Sequence, residues 1–374
     1  MASYNYIPTK NGGWMKNMKI GDKFIEDFSS FVLSKGFSFP KRLIRRYLTC
    51  LMTKPFVILS GISGTGKTKL AQLFTEFMTN NDQQKAFIPV RPDWNDNKGL
   101  FGFYNIITES YHKTPFLNIL LEATQNPQEL YFVILDEMNL AKVEYYFSDF
   151  LSAFESRIID NQGILSQEAI FLHDSIELPI NGVPHQVCIP RNLFITGTVN
   201  IDETTYMFSP KVLDRASVIE FEEVDLEKYF AINDQGMETA AVKPDSEIIS
   251  FFTNNGNFLK KGFSNINNEF KTAITEIFNV LHKYRKHFGY RVLNEIFCYS
   301  DIQNNFTCTK AEIIDEILLQ KIMPKIYGSE EIKPLLIELD KTINTLSDKP
   351  MISSQLISRM LNDLENKGFT SAIF

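Results

Sequence analysis

The chain has 374 residues, 44% of them hydrophobic and 22% charged, with a formal net charge of −7. This length suggests two domains or three small ones around full cores, and the acidic balance argues against a dedicated DNA-coating surface, while leaving room for a local basic patch. No apolar run approaches the ~20 residues that span a bilayer. The stretch Met1-Ala2-Ser3-Tyr4-Asn5-Tyr6-Ile7-Pro8 has no basic segment leading into an apolar one, so no signal peptide is expected.

Cys50, Cys188, Cys298 and Cys308 are scattered, with no C-x-x-C pair. Neither a zinc site nor a disulfide framework is expected, and a cytoplasmic, reducing compartment is the simplest reading. The 32 phenylalanines predict aromatic-rich packing.

In chain order, residues 1–20 show little periodicity and read as part of a lead-in over 1–40. Apolar residues at 24, 25, 28, 31, 32 and 33 predict a short helix. Pro40 opens a second one over 41–52, with Leu43, Ile44, Tyr47, Leu48 and Leu51 on one face. Its other face carries Lys41, Arg42, Arg45 and Arg46, read first as solvated and alternatively as a contact to nucleotide, a neighbouring subunit or nucleic acid.

Residues 55–222 alternate strand-like and helix-like segments, the signature of an α/β fold with a parallel sheet. Buried strands are predicted at 55–60, 86–90, 131–135, 192–198 and 217–221, with helices over 69–78, 114–123 and 143–155. Residues 157–190 break the pattern, and Asn181-Gly182 is a strong hairpin signal. From about 224 the chain turns polar and then helical, with amphipathic patterns over 264–287, 311–322, 332–346 and 353–366 and Gly368 as a helix stop. The expected division is an α/β core over 41–223 and an α-helical lid over 224–374.

The chain is organised around Gly61-Ile62-Ser63-Gly64-Thr65-Gly66-Lys67-Thr68, which fits the phosphate-binding pattern G-x-x-x-x-G-K-[ST]. A chance match in a chain this long has odds of roughly one in a hundred, and the flanking strand and helix lower them further. Glycines let backbone N–H groups turn toward a polyphosphate at a helix N-terminus, where the dipole favours anions. Gly61, Ser63, Gly64, Thr65, Gly66, Lys67 and Thr68 are therefore the nucleotide-binding candidates. Lys67 would reach the β- and γ-phosphates and the Thr68 hydroxyl would bind Mg²⁺.

A second acidic motif follows an apolar strand, at Asp136-Glu137. Asp136 would hold Mg²⁺ through water, and Glu137 is the candidate general base. Thr198-Val199-Asn200 ends a third strand, expected between the two others, where Asn200 would hydrogen-bond the γ-phosphate or the attacking water.

These motifs, in this order, resemble AAA+ NTPases over about residues 41–330. The resemblance makes Asn200 a sensor 1 residue. It makes Arg215, in Ser209-Pro210-Lys211-Val212-Leu213-Asp214-Arg215-Ala216, an arginine finger acting on the neighbouring subunit, with Lys211 as the alternative. Arg291, in Phe288-Gly289-Tyr290-Arg291-Val292, resembles a sensor 2 arginine reaching the γ-phosphate of its own subunit, with Arg285 second.

Within that family, Leu135-Asp136-Glu137-Met138-Asn139-Leu140-Ala141 and Gly197-Thr198-Val199-Asn200-Ile201-Asp202 look like the blocks of the McrB-like NTPases. The insert at 157–190 is similar to the hairpin that precedes sensor 1 in that clade, shared with MoxR-like proteins. Val199 stands where the block usually has Met, and Asp202-Glu203-Thr204-Thr205 departs from its D-R-S continuation. ATP and GTP both stay open as substrates.

The resemblance implies a ring-forming homo-oligomer, a hexamer, driving a McrC-like nuclease in defence against foreign DNA. DNA recognition would come from a partner or from a reader domain outside the chain, with no membrane involved. A MoxR-like chaperone ATPase is the alternative. A nucleotide-gated scaffold is a third class, disfavoured by the presence of Glu137.

Overall fold

Five short apolar runs pair side by side into one parallel sheet. They are β1 (Phe56–Gly61), β2 (Lys85–Pro89), β3 (Tyr131–Asp136), β4 (Leu193–Asn200) and β5 (Ser217–Phe221). The spatial order is β5-β1-β4-β3-β2, and every neighbouring pair is parallel. The computed structural model describes residues 6–8, 14–16, 18–159, 165–174, 179–201, 206–221, 242–255, 266–347 and 349–373.

Nearly continuous apolar sequence makes these strands because both faces of a parallel sheet are covered. The period of two then splits each strand between two cores. Val57, Leu59, Phe132 and Ile134 join one cluster, whereas Phe56, Ile58, Tyr131, Val133 and Leu135 join the other.

The first cluster is built from α1 (Ile20–Ser34), α2 (Lys41–Thr53), α3 (Lys67–Met78) and the helical C-terminal part. The second holds α4 (Pro115–Gln125) and α5 (Ser148–Glu155). The expected helix over 143–155 is two pieces, a turn at Val143–Tyr146 and then α5. They break at Phe147, where φ −110 and ψ 8 leave the helical region. Phe147 instead stacks on Phe150 at 4.4 Å and packs on Phe56 at 5.2 Å, so tertiary packing overrides a continuous helical pattern.

Beyond residue 242 the described chain is mostly helical: α6 (Ser246–Asn255), α7 (Asn268–Lys283), α8 (Tyr290–Gln303), α9 (Lys310–Ile317), α10 (Lys333–Asn344) and α11 (Ile352–Lys367). Gly368 ends α11 with φ 70, as its stop signal predicts. These helices share the first apolar cluster with the sheet. Phe252 packs on Phe74, Phe132 and Phe194.

The polar region expected at 224–245 lies mostly outside the described residues, as do 202–205 and 175–178. Asn181 and Gly182 do form a tight turn, with φ 52 and 74 and Ile180 facing Val183. Beyond the turn, Ile170–Phe171 pairs antiparallel with Gln186–Val187.

The basic face of α2 is solvated at Lys41 but not at its arginines, and the expectation of a solvated face is corrected for them. Arg45 and Arg46 are buried. Arg42 donates to Asp315 Oδ2 at 2.7 Å, and Arg45 to Glu316 Oε1 at 2.6 Å. The other oxygen of Glu316 accepts from Tyr299 Oη at 2.7 Å and from Gln303 Nε2 at 3.0 Å. These acids lie about 270 residues further along the chain, on α9, so the pattern of α2 alone carries no sign of them.

A second buried ion cluster stands beside it. Glu295 on α8 accepts from Lys54 and Lys321, both at 2.5 Å. Burial pushes the Lys54 ammonium down to about 8. Burial alone would raise Glu295, but Lys321 and Lys54 hold it down to about 2. After α9 the helix widens into a π turn at Leu318–Ile322. Within that turn Gln320 accepts from Cys50 Sγ at 3.1 Å, and Lys321 donates to Ala216 O at 2.9 Å. Together these bonds tie α8 and α9 to α2 and to the starts of β1 and β5.

Among the described residues no helix is long and apolar enough to cross a membrane.

Candidate nucleotide-binding site

The loop 61–66 leaves β1 and enters α3 as its sequence predicts. Gly61, Gly64 and Gly66 have φ of 153, 79 and 92, values that L side chains rarely adopt. At Gly61 a Cβ would lie 2.8 Å from the carbonyl oxygen of Phe221, and at Gly66 one would press on the Phe39 ring at 3.2 Å. The loop is thus closed on one side by the end of β5 and on the other by the segment before α2.

Lys67 is buried at the first turn of α3. Its Nζ donates to the carbonyls of Gly61 at 2.8 Å and Ile62 at 2.6 Å, inside the curve of the loop. Thr65 Oγ1 donates to Ile62 O at 2.9 Å. Ser63 lies exposed in the same loop.

The sheet register brings the acids beside this loop. β4 lies between β1 and β3, with Asn200 opposite Gly61 and Gly197 opposite Leu135. Two hydroxyls converge on one carboxylate oxygen: Thr68 Oγ1 donates to Asp136 Oδ1 at 2.8 Å and Thr198 Oγ1 at 2.7 Å. Thr198 Oγ1 also accepts from the backbone N–H of Glu137 at 3.1 Å.

Glu137 takes the left-handed conformation, φ 51 and ψ 49, which a non-glycine residue holds only when its surroundings enforce it. Asn200 Nδ2 donates to Glu137 Oε1 at 3.2 Å, and Asn139 Nδ2 donates to the Asn200 carbonyl at 3.2 Å. Gly197 matters for close packing here, because a Cβ would come within 2.5 Å of the Met138 sulfur.

A hydroxyl beside a carboxylate is an all-oxygen donor set that suits a hard divalent cation. Thr68 and Asp136, in direct contact at 2.8 Å, therefore fit Mg²⁺. Among the described residues no group of three or more His, Cys, Asp or Glu is arranged to hold a metal.

Arg215 and Arg291 are elsewhere. Arg215 precedes β5, whose first residue Ser217 pairs with Val57 near the start of β1, whereas Phe221 pairs with Gly61. Arg215 thus lies at the opposite end of the sheet from the phosphate-binding loop 61–68 (the P-loop), roughly 20 Å away at strand rise. Its buried guanidinium donates to Leu151 O at 3.1 Å and Lys211 O at 2.7 Å, and it pairs with Glu155. Arg291 Nη2 donates to the other oxygen of Glu155 at 2.9 Å. Burial, and then the neighbouring Arg291, lower the Arg215 pKa.

Arg291 is consequently not beside the P-loop of its own chain, and the in-cis contact implied by its sensor 2 resemblance is corrected. Lys211 is exposed on the turn before Arg215. Arg285 sits in a left-handed turn after α7, with φ 56.

The chain aligns with a crystal structure from Cytophaga hutchinsonii described as a "putative ATPase". The TM-score is 0.52 and the identity 15%, over 88% of this chain and 94% of that one. The likeness is one of fold. A family model described as "Domain of unknown function (DUF8727)" matches residues 243–369, the helical part. No curated protein matches the chain. The five-stranded parallel sheet followed by a helical part agrees in outline with the architecture that the AAA+ resemblance implies.

Two residues near the loop are given no role by the sequence reading. Thr198 carries a signal, since with Thr196 it places hydroxyls at a period of two inside an otherwise apolar strand. Arg359 on α11 carries none. It lines a cleft of about 410 Å³ with Ile62 of the P-loop, Ile201, Phe221 and Gln355. Its Nη2 lies 3.4 Å from Glu220 Oε1 and 3.3 Å from Ala372 O. The C-terminal part therefore approaches the P-loop through α11, not through the turn before α8.

Proposed function

We propose that the chain binds a nucleoside triphosphate with Mg²⁺ at the P-loop and hydrolyses it, as the motor subunit of a ring. The observation that carries this reading is the convergence of Thr68 and Thr198 on Asp136, with Glu137 held next to them by Asn200. Lys67 and the loop N–H groups would bind the phosphates. Thr68 and Asp136 would hold Mg²⁺, which when bound neutralises charge on the phosphate oxygens. The Glu137 carboxylate takes the proton of the attacking water, and Asn200 orients that carboxylate. Arg359 supplies positive charge from the C-terminal part beside the loop.

Arg215 is the arginine finger in this reading. Its distance from its own P-loop supports action on a neighbouring copy, so turnover depends on assembly. The order of the motifs supports a McrB-like identity: a hexameric motor that drives a partner nuclease of the McrC type and meets DNA through that partner or a separate reader. The antiparallel pairing around the Asn181-Gly182 turn supports the pre-sensor hairpin of that clade.

The test is hydrolysis of ATP and GTP side by side by wild type and Glu137→Gln. Turnover by the wild type with binding but no turnover by the variant supports the reading. Equal turnover by both overturns it. Co-purification of a nuclease subunit, as opposed to a metal-binding adhesion-type protein, separates the McrB-like identity from the MoxR-like one.

A further inference from the structure

The segment His282-Lys283-Tyr284-Arg285-Lys286-His287-Phe288-Gly289-Tyr290-Arg291 joins α7 to α8. Basic and aromatic side chains interleave along it, and it holds no acid, in a chain whose formal net charge is −7. Two of its cations are already paired, Lys283 with Glu338 at 2.6 Å and Arg291 with Glu155 at 2.9 Å. Arg285 and Lys286 are exposed and pair with no acid among the described residues. A helix C-terminus attracts cations, but that effect fades beyond the last turn, which in α7 carries His282 and Lys283. Arg285 stands past it, at the left-handed position that usually falls to Gly. Its N–H donates to His282 O at 3.0 Å and that of Lys286 to Leu281 O at 2.9 Å, which closes the turn tightly. The Lys286 ammonium lies over the Tyr327 ring, 5.2 Å from its centre.

Beside this turn a cleft of about 490 Å³ is lined by the rings of Phe278, His282, His287, Phe288 and Tyr290. That volume is within the range of ligand pockets, about 300–1,000 Å³. Phe278 is the centre of the cluster, stacked on His282 at 5.8 Å and edge-on to His287 at 5.6 Å and to Phe288 at 5.4 Å. Tyr290 opens α8 and is 87% exposed, so its ring contributes little of the burial that normally holds an aromatic in place.

Ring faces in a cleft, next to cations without acid partners, match an unstacked base beside its phosphates. Aromatic rings stack on any base, and the cations follow the backbone. A duplex offers the phosphates but keeps its bases stacked on one another, and an acidic peptide offers charge without flat faces. The acidic balance of the chain confines such a contact to a local patch. We propose that the turn between α7 and α8 binds single-stranded nucleic acid, with Tyr290 and the histidine-lined cleft stacking on a base and Arg285 and Lys286 holding its phosphates. This adds a contact made by the chain itself, and it requires neither turnover nor ring assembly.

The test is fluorescence anisotropy of the full chain with a labelled oligodeoxythymidylate of about 20 nucleotides. A duplex of the same length is compared, and free thymidine monophosphate and poly-glutamate serve as competitors. The single strand is expected to bind more tightly than the duplex. Two phosphate contacts give a slope of log affinity against log salt of about −1.4. Tyr290→Ala is expected to lower affinity at least ~5-fold, the lower end of what one stacked base contributes, whereas Tyr290→Phe keeps the ring and should bind as wild type does. Arg285→Gly suits the left-handed backbone; combined with Lys286→Gln it should weaken binding and flatten the salt slope. Unchanged thermal midpoints check that the variants are folded.

Failure of the single strand to bind overturns the proposal, as does binding that neither Tyr290→Ala nor the double variant changes. Equal affinity for duplex and single strand, with Tyr290→Ala silent, leaves a general cationic surface and removes the stacking site. Poly-glutamate that displaces the strand as well as unlabelled strand does makes the ligand an acidic polypeptide. Equally effective thymidine monophosphate makes the cleft a mononucleotide pocket, and either result overturns the strand assignment.

Discussion

Asn200 Nδ2 donates to Glu137 Oε1 across 3.2 Å, from the end of β4 to the end of β3. The bond holds the carboxylate beside the loop without protonating it. Asn200→Ala is therefore expected to lower kcat by about 10²-fold, the range that a positioned general base supplies. Nucleotide affinity should change little. Asn200→Asp places a second negative charge against Glu137, which raises the Glu137 pKa and shifts the rising limb of the pH–rate profile upward. Single-turnover rates over pH 5–9 check both outcomes, and an Asn200→Ala enzyme with wild-type kcat would sink the assignment.

Thr198 bridges Asp136 and Glu137, the residues proposed to hold the metal and to act as the base. Its hydroxyl donates to Asp136 and accepts from the Glu137 N–H. Thr198→Val keeps the shape and removes both bonds, leaving a donor unpaired at a left-handed residue. The expected stability loss is about 1–3 kcal/mol, read by chemical denaturation. The Mg²⁺ concentration for half-maximal turnover should also rise, because Asp136 loses the partner that orients it. A variant with an unchanged Mg²⁺ titration would show that Thr198 is only structural.

How much of this was legible depends on how far apart the partners lie in sequence. The strands read directly, because burial on both faces leaves near-continuous apolar runs at 56–59 and 131–135. The P-loop is local too: its glycines, lysine and threonine are contiguous, and so is the Asp136-Glu137 pair.

What escaped is non-local or shaped by packing. Arg42 and Arg45 look solvated on a helical wheel because Asp315 and Glu316 arrive from α9. The break at Phe147 has no Gly or Pro to announce it. The antiparallel pair Phe103–Asn105 with Ser110–His112 turns without either as well, using the Asn105 side chain to accept from Ile107 N at 2.9 Å. Arg291 carries a motif-like Gly-x-Arg context, yet its neighbours are decided by where α8 packs.

Arg359 offers a test of the C-terminal contribution. Its guanidinium lines the cleft beside Ile62, within reach of Glu220. Arg359→Ala is expected to weaken nucleotide binding about tenfold, the scale of a charge-assisted hydrogen bond. Arg359→Lys should recover part of the loss, since it keeps the charge but not the fork. Titration with a fluorescent triphosphate and diphosphate checks this: a larger loss for the triphosphate places the contact at the terminal phosphate. Equal affinity in all three proteins would remove Arg359 from the site.

Glu295 gives a pH-dependent prediction about how the helical part is held to the sheet. Its folded-state pKa lies near 2, below the ordinary 4.5, because Lys321 and Lys54 outweigh the upward push of burial. A carboxyl with a depressed folded pKa binds fewer protons in the folded than in the unfolded state between those two values. Its contribution is therefore complete above pH ~4.5 and is lost as pH falls toward 2.

Glu295→Gln leaves Lys54 and Lys321 buried against a neutral amide, a change that costs about 3–5 kcal/mol for a broken buried pair. The stability difference between wild type and Glu295→Gln should thus be largest at neutral pH and shrink steadily below pH ~4.5. Urea denaturation at a series of pH values measures it. Because Lys54 lies two residues before β1 and Lys321 donates to Ala216 just before β5, the variant should also speed amide exchange at the starts of both strands. A difference that stays constant from pH 7 to pH 3 would mean that Glu295 is not the ionised centre of this cluster.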